Sequence, residues 1–195
     1  MGTLIDREFW RDRRVLLTGH TGFVGGWTAL WLERLGAQVT GLALPPDTDP
    51  CLFDALTPWE TLEHRVADLR IAPALRRAVA EADPEVVFHL AALAQVPLAY
   101  RNPLDTFATN VMGTAHLLEA LRPVEGLRSV LVITSDKVYL NLERGLPFGE
   151  GDPLGGHDPY SASKAAQEQV ASAFGRGYLA GRGVCLATAR AGNLL

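Results

Sequence analysis

The stretch Thr18–Gly26, TGHTGFVGG, constrains this chain more than any other. It follows the apolar run VLL. It opens a segment in which Phe23, Val24, Trp27, Leu30, Trp31 and Leu35 recur at helical spacing. A strand, a tight turn and a helix thus follow one another without a linker. Each glycine has its own task in such a turn. Gly19 permits the turn, Gly22 lets an anion approach the backbone, and Gly25 lets helix and strand pack closely. Free backbone N–H groups and the helix dipole attract phosphate there. Plain turn glycines are the alternative, but strand before and helix after is the context of a dinucleotide pyrophosphate site.

The alternation continues along the chain. AQVTGLAL is a second strand, stopped by Pro45 and Pro46, and HRVADLR is a weak third. Pro73 opens a helix that ends near Pro84, and EVVFHLAA is a fourth strand. DTFATNVMGTAHLLEALR reads as one long helix, with Phe107, Val111, Ala115, Leu118 and Leu121 on one face. SVLVIT is a fifth strand, DPYSASKAAQEQVASAFGRGYLA a helix and GVCLATAR a sixth strand. Strand–helix alternation with nearly continuous apolar strands implies a parallel sheet covered on both faces. The expected fold is α/β: one Rossmann-like, doubly wound parallel sheet with helices on both faces, forming a dinucleotide-binding domain over 1–195.

Bulk properties exclude several classes. The 195 residues carry a net charge of -4, so nothing suggests a nucleic-acid or membrane-surface partner. No apolar run is long enough for a transmembrane helix, and the charged N-terminus does not read as a secretory signal. Cys51 and Cys185 match no metal or redox spacing, so no metal is expected and a reduced, cytoplasmic setting is.

The fifth strand ends in TSDKVY, Thr134–Tyr139, which sets a hydroxyl, a carboxylate and an ammonium side by side. They form either a solvated ion pair or a site, because ligands of open parallel sheets sit beyond the C-terminal strand ends. YSASK places Tyr160 and Lys164 four apart on one helix face, after Asp158 as N-cap and Pro159 at the first helical position. A phenol is too weak an acid to serve as a base at neutral pH unless nearby positive charge favours the phenolate. Ala43 stands where a ribose-binding carboxylate is expected, with Asp47 and Asp49 nearby and no Lys or Arg for a 2′-phosphate. NAD is the expected cofactor, and NADP is left open.

The pieces TGHTGFVG, DLR, FHLAA, NVMGT, TSDKVY, DPYSASK and RAGN together resemble the extended branch of the short-chain dehydrogenase/reductases, the NAD-dependent epimerase/dehydratase family. Within it, GHTGFVGGW, LALPPDTDP, FATNVMGT, TSDK and DPLGGHDPYSASK are similar to the CDP-glucose 4,6-dehydratases. Lys137 is the most discriminating residue, because related dehydratases usually carry an acid there.

The resemblance implies a lyase that converts CDP-glucose to CDP-4-keto-6-deoxyglucose through transient hydride transfer to bound NAD. It implies catalytic roles for Ser135, Asp136, Lys137, Tyr160 and Lys164. Tyr160 removes the proton of the sugar 4-hydroxyl, Ser135 fixes that hydroxyl, and Lys164 holds the ribose. Asp136 protonates the departing 6-hydroxyl, and Lys137 is either the C5 base or a charged enolate stabiliser. Cofactor contacts fall on Gly19, Thr21, Gly22, Phe23, Val24, Gly25, Asp68, Leu69, Leu90, Ala91, Ala92, Asn110, Thr134, Tyr160 and Lys164, and substrate contacts on Ser135 and Asn193. Asn110 either braces cofactor-side backbone or is an ordinary helix-face amide, and His20 either touches phosphate or faces solvent. His89 reads as a core residue, and Trp27 and Trp31 as helix-packing residues. Helices 105–122 and 160–180 are expected to build a homodimer. The family continues into a smaller substrate-binding C-terminal region, which is expected to be missing here. Another extended-branch epimerase or reductase, or a non-catalytic NAD-binding module, are the competing readings.

Overall fold

The computed structural model describes residues 6–143 and 145–193, so the ends of the 1–195 domain lie outside it. Among the described residues, six strands form one parallel sheet in the order β3-β2-β1-β4-β5-β6. They are β1 (Arg14–Thr18), β2 (Gln38–Ala43), β3 (Glu63–Val66), β4 (Val86–His89), β5 (Ser129–Ile133) and β6 (Cys185–Ala189). The helices are α1 (Arg7–Trp10), α2 (Phe23–Arg34), α3 (Leu52–Ala55), α4 (Ala72–Ala82), α5 (Val96–Arg101), α6 (Pro103–Phe107), α7 (Gly113–Leu121) and α8 (Pro159–Phe174). The chain winds outward from β1 to β3, returns to β4 beside β1, and winds outward again. The C-terminal ends of β1 and β4 therefore flank the point where the winding reverses, the position at which such sheets bind ligands.

Alternate residues of β1 serve different cores. Leu16 joins Leu42, Val87, Val130, Val132 and the inner faces of α4, α7 and α8. Val15 and Leu17 join Val39, Val86 and the Ala29 and Leu32 side of α2. Two-sided burial explains the continuous apolar runs of β1 and β2. In β5, only Val130 and Val132 are buried, while Ser129, Leu131 and Ile133 on the α2 side are partly open. The sheet is thus covered less evenly than the sequence suggests.

Two helix readings need correction. The aromatic stripe of α2 is helical, but it faces outward: Trp27 and Trp31 are 50% and 57% exposed. Gly25, Gly26, Ala29 and Leu32 face the sheet instead. The cause is the close approach that Gly25 makes to the turn below, which leaves no room for a ring on that side. The long helix 105–122 is continuous in direction but contains a π-helical turn over Ala108–Met112 between α6 and α7. That turn shifts the buried face onto Thr106, Asn110, Thr114, Leu117, Leu118 and Leu121, and leaves Phe107 exposed. π-Turns of this kind mark places where a side chain is needed inside.

Candidate active site

The glycine turn is built as tightly as its sequence demands. Gly19 adopts φ +79°, and a Cβ there would lie 2.7 Å from the Ala91 nitrogen. A Cβ on Gly25 would sit 2.0 Å from the Gly19 carbonyl oxygen. Gly22 is the N-cap of α2, and no side chain caps the helix. The first-turn N–H groups of Phe23, Val24 and Gly25 therefore keep their capacity for an anion. The Thr21 hydroxyl donates to the Leu44 carbonyl (3.0 Å), tying the turn to the end of β2.

His20 neither faces solvent nor reaches out as a phosphate contact. It is fully buried, with Nε2 2.6 Å from His64 Nδ1 and its ring edge against Phe53. Gly41 makes room for it: a Cβ there would lie 2.6 Å from the ring. Burial, then the neighbouring His64, lowers its pKa to about 4. His89 is buried as the sequence suggests, between the hydroxyls of Thr18 (2.7 Å) and Thr114 (2.8 Å). Burial, with a smaller push from Lys164, lowers its pKa to about 3.

Both histidines have folded pKa values below the unfolded 6.5, so unfolding takes up protons in acid. Their contribution to stability is intact above pH 6.5 and is lost progressively as pH falls below it. Denaturant titrations should show a loss of about 3 kcal/mol between about pH 7.5 and about pH 5.5. Unchanged stability across that interval would contradict neutral burial of the pair.

The remaining residues expected on the cofactor side lie beyond the ends of β2, β3 and β4. Asp47 and Asp49 are exposed in the loop after Ala43. Asp68 spends its carboxylate on the Arg70 guanidinium and backbone N–H, and Arg70 holds it below the usual carboxylate range. Leu69 beside it is buried, and its carbonyl lies 3.0 Å from His116 Nδ1. Leu90, Ala91 and Ala92 are half-buried, and the Ala91 N–H donates to the Thr18 hydroxyl (3.3 Å). The buried Asn110 amide accepts from the Leu93 N–H (2.8 Å) and donates to the Leu93 carbonyl (3.1 Å) and Ser163 Oγ (2.8 Å). The loop after β4 is thus braced from within the π-turn.

At the end of β5, Thr134 and Ser135 are buried while Asp136 and Lys137 are exposed. Ser135 N-caps a short 3₁₀ turn over Asp136–Val138; its Oγ accepts from the Lys137 N–H and donates to Asp136 Oδ1 (3.0 Å). Lys137 makes no ion pair among the described residues, which removes the simple strand-end pair with Asp136. Tyr160 is buried at the start of α8. Burial raises its pKa, hydrogen bonding with Ser135 opposes this, and the Asp136 and Asp158 carboxylates add to the rise. Lys164, 3% exposed, donates to the Ile133 carbonyl (3.0 Å) and Gln167 Oε1 (2.9 Å). Burial lowers its pKa to about 8, with Glu168 opposing. Lys164 therefore spends its contacts on the strand and on Gln167, and without another cation the phenol is held protonated. Asn193 is exposed just beyond β6.

Glu168 and Arg190 escape a motif-based reading. Glu168 is buried four residues past Lys164 and accepts from Thr134 Oγ1 (2.6 Å), Thr188 Oγ1 (3.0 Å) and Arg190 Nη2 (3.0 Å). Arg190 also donates to Tyr139 Oη (2.9 Å), and Tyr139 stacks on Phe148 at 4.7 Å. Burial would raise the Glu168 carboxyl, but its three donors hold it below the usual range. The 160/164/168 spacing signals a shared helix face; a charge there is the clue that the face meets polar groups. Arg190→Met leaves the carboxylate buried without its cation and should cost about 3 kcal/mol in chemical denaturation. A cost under about 1 kcal/mol would mean that the pair is a surface interaction.

A glycine turn, an uncapped helix start and a tyrosine–lysine–serine group at the next strand ends suit binding of a dinucleotide and proton exchange beside it. The family model described as the NAD dependent epimerase/dehydratase family matches residues 15–192. The chain belongs to this family. Among family members, the CDP-glucose 4,6-dehydratase of Salmonella typhimurium is 46% identical over 98% of this chain and 55% of that protein. An epimerase structure from Methanothermobacter thermautotrophicus superposes with a TM-score of 0.81 at 26% identity, covering 94% of this chain and 52% of that one. The UDP-glucose 4-epimerase of Thermus thermophilus in complex with NAD superposes at 0.76 and 29% identity, covering 90% and 54%. The chain thus spans about half the length of these relatives.

Proposed function

We propose that this chain binds NAD and carries the catalytic residues of a nucleotide-sugar 4,6-dehydratase whose substrate is CDP-glucose. The observation that supports it most is the strand-end group of Ser135, Asp136 and Lys137, which makes no ion pair among the described residues, beside the buried Tyr160. The likeness to the Salmonella dehydratase supports the substrate. The residues present fit the cofactor. Gly19 and Gly25 leave the turn without side chains, α2 is uncapped, and the buried Lys164 ammonium has one N–H beyond its two protein acceptors. Bound NAD would supply a hydride acceptor at the sugar C4 and return the hydride at C6.

The protein groups then act in turn. Ser135 Oγ orients the sugar 4-hydroxyl, and Tyr160 Oη removes its proton once local positive charge lowers the phenol pKa. The Lys164 ammonium holds the ribose. The 4-ketone acidifies the C5 proton, and Lys137 serves that position, as base when neutral or as enolate stabiliser when charged. Asp136 delivers a proton to the departing 6-hydroxyl, water leaves, and C5 takes back a proton as C6 is reduced. Asn110 holds the cofactor-side loop in place.

Incubation of the protein with NAD and CDP-glucose, followed by proton NMR of the sugar, tests this reading. A 4-keto-6-deoxy product is expected. Unchanged CDP-glucose, or a C4 epimer as from an epimerase, would overturn it.

The setting is a cytoplasmic homodimer joined through helices 105–122 and 160–180. No described helix is long and apolar enough to cross a membrane. Leu104, immediately before the first of these segments, and Met112 within it, 83% and 51% exposed, supply an apolar surface. Light scattering should give the mass of a dimer, and Leu104→Glu with Met112→Glu should reduce it to a monomer. A wild-type monomer would exclude this assembly.

A further inference from the structure

Lys164 stands at one end of a buried polar chain. Its Nζ donates to Gln167 Oε1 (2.9 Å), and Gln167 Nε2 donates to Thr114 Oγ1 (2.8 Å). Thr114 Oγ1 lies 2.8 Å from His89 Nε2, and His89 Nδ1 lies 2.7 Å from Thr18 Oγ1. Thr18 Oγ1 accepts from the Ala91 N–H at 3.3 Å. All five side chains are buried. The chain crosses from α8 through α7 and β4 to β1 and ends beside the glycine turn.

Counting protons fixes its direction. A hydroxyl has one proton to give. Thr114 gives its proton to the Asn110 carbonyl (2.7 Å). It must therefore accept from both His89 and Gln167. His89 is then the Nε2–H tautomer, and its bare Nδ1 accepts the Thr18 proton. Gln167 must present its nitrogen to Thr114 and its oxygen to Lys164. A flipped amide would set NH₂ against the ammonium and a carbonyl against an oxygen with no proton left. Among the described residues, this neutral amide is the only side chain that accepts from the Lys164 ammonium.

We propose that Gln167 is a positioning residue for Lys164: the proton-ordered chain from β1 locks its amide oxygen onto Nζ, leaving one N–H of the ammonium for the cofactor. Only the last clause rests on the NAD reading. The groups facing the ammonium are few. Glu168 on the same helix favours the charge, His89 from β4 is neutral, and Tyr160 one turn earlier is a protonated phenol. Burial outweighs Glu168, so the charge depends on its acceptors.

The test is an NMR titration of the Lys164 Cε and Nζ resonances in labelled protein. Gln167→Glu puts an anion at the acceptor position and should lower the acid constant of Lys164 about tenfold or more; Gln167→Met removes the acceptor and should raise it by a similar factor. Histidine ¹⁵N shifts should report the Nε2–H tautomer for His89 in the wild type. Lys164 titrating identically in all three proteins, or His89 as the Nδ1–H tautomer, overturns the proposal. Should Gln167→Met fail to fold, the isosteric Gln167→Glu decides. NAD titration of the same samples keeps the two readings separate: a wild type that does not bind NAD removes the cofactor reading, while the Lys164 titration still decides this one.

Discussion

Gly25→Ala is expected to abolish NAD binding and to destabilise the fold. The new Cβ would lie 2.0 Å from the Gly19 carbonyl oxygen and 2.8 Å from the His20 Cα. Both obstacles are backbone, so no rotamer change relieves them. α2 must move off the turn, or the turn must shift at Gly19, where space is so short that a Cβ would lie 2.7 Å from the Ala91 nitrogen. Overpacking usually costs about 1–3 kcal/mol; a backbone-on-backbone clash belongs above that, at about 4 kcal/mol. NAD affinity should fall more than about 100-fold, because the N–H groups of the turn no longer converge on one phosphate. Gly22→Ala is the informative contrast. Its Cβ would lie 3.4 Å from the nearest atom, so the fold should survive while the pyrophosphate is crowded. Calorimetric titration and denaturant unfolding of both variants separate the two effects. Equal, small losses in both would show that Gly25 has no packing role.

Tyr160→Phe should lower formation of the 4-keto-6-deoxy sugar by about 10²–10⁴-fold while leaving NAD affinity within a few-fold. The phenol is buried and faced by Asp136 and Asp158, so removing Oη deletes a polar group and little packing. Lys137→Ala should stop dehydration equally well, for a different reason. Lys137 is exposed and makes no ion pair among the described residues, and its loss should leave stability within about 0.5 kcal/mol. A comparison of C5 deuterium incorporation in the two variants assigns the steps. Tyr160→Phe blocks C5 exchange, because no 4-ketone forms. Lys137→Ala blocks it if Lys137 is the base, and slows it if Lys137 only stabilises the enolate. Full formation of the 4-keto-6-deoxy sugar by Lys137→Ala would remove Lys137 from the C5 step.

β1, β2, β4, β5 and β6 were legible in the sequence because each carries a short apolar run closed by glycine, proline or charge, whereas β3, a polar and largely exposed edge strand, left only a weak signal. The turn at Gly19–Gly25 was legible because backbone contact tolerates only glycine. Non-local pairing was not. Trp27 and Trp31 have the spacing of a buried face, yet the demand of Gly25 for close approach turns that face outward. The π-turn at Ala108–Met112 has no periodic signature, and its cause is the reach of Asn110 to Leu93 in another segment. α5 was missed because Pro97 and its short length hide it. His20 looked like a loop side chain; only the path of β3 beside β2 supplies His64 and a pocket over Gly41. At the candidate site, the placement of Ser135 and Asp136 at a strand end and of Tyr160 and Lys164 on one helix face was readable from the sequence. The Glu168–Arg190 pair was not, because its partners are 22 residues apart, and the 160/164/168 spacing puts Glu168 on the helix face without naming its cation.

Saturation-transfer NMR tests the central claim most directly, using deuterated protein in which only the four tyrosines carry protons. The account predicts that irradiating the tyrosine rings transfers saturation to the nicotinamide C4 proton of bound NAD, and that Tyr160→Phe abolishes the transfer. Saturation that reaches only the adenine protons, or a nicotinamide signal unchanged by Tyr160→Phe, would contradict it.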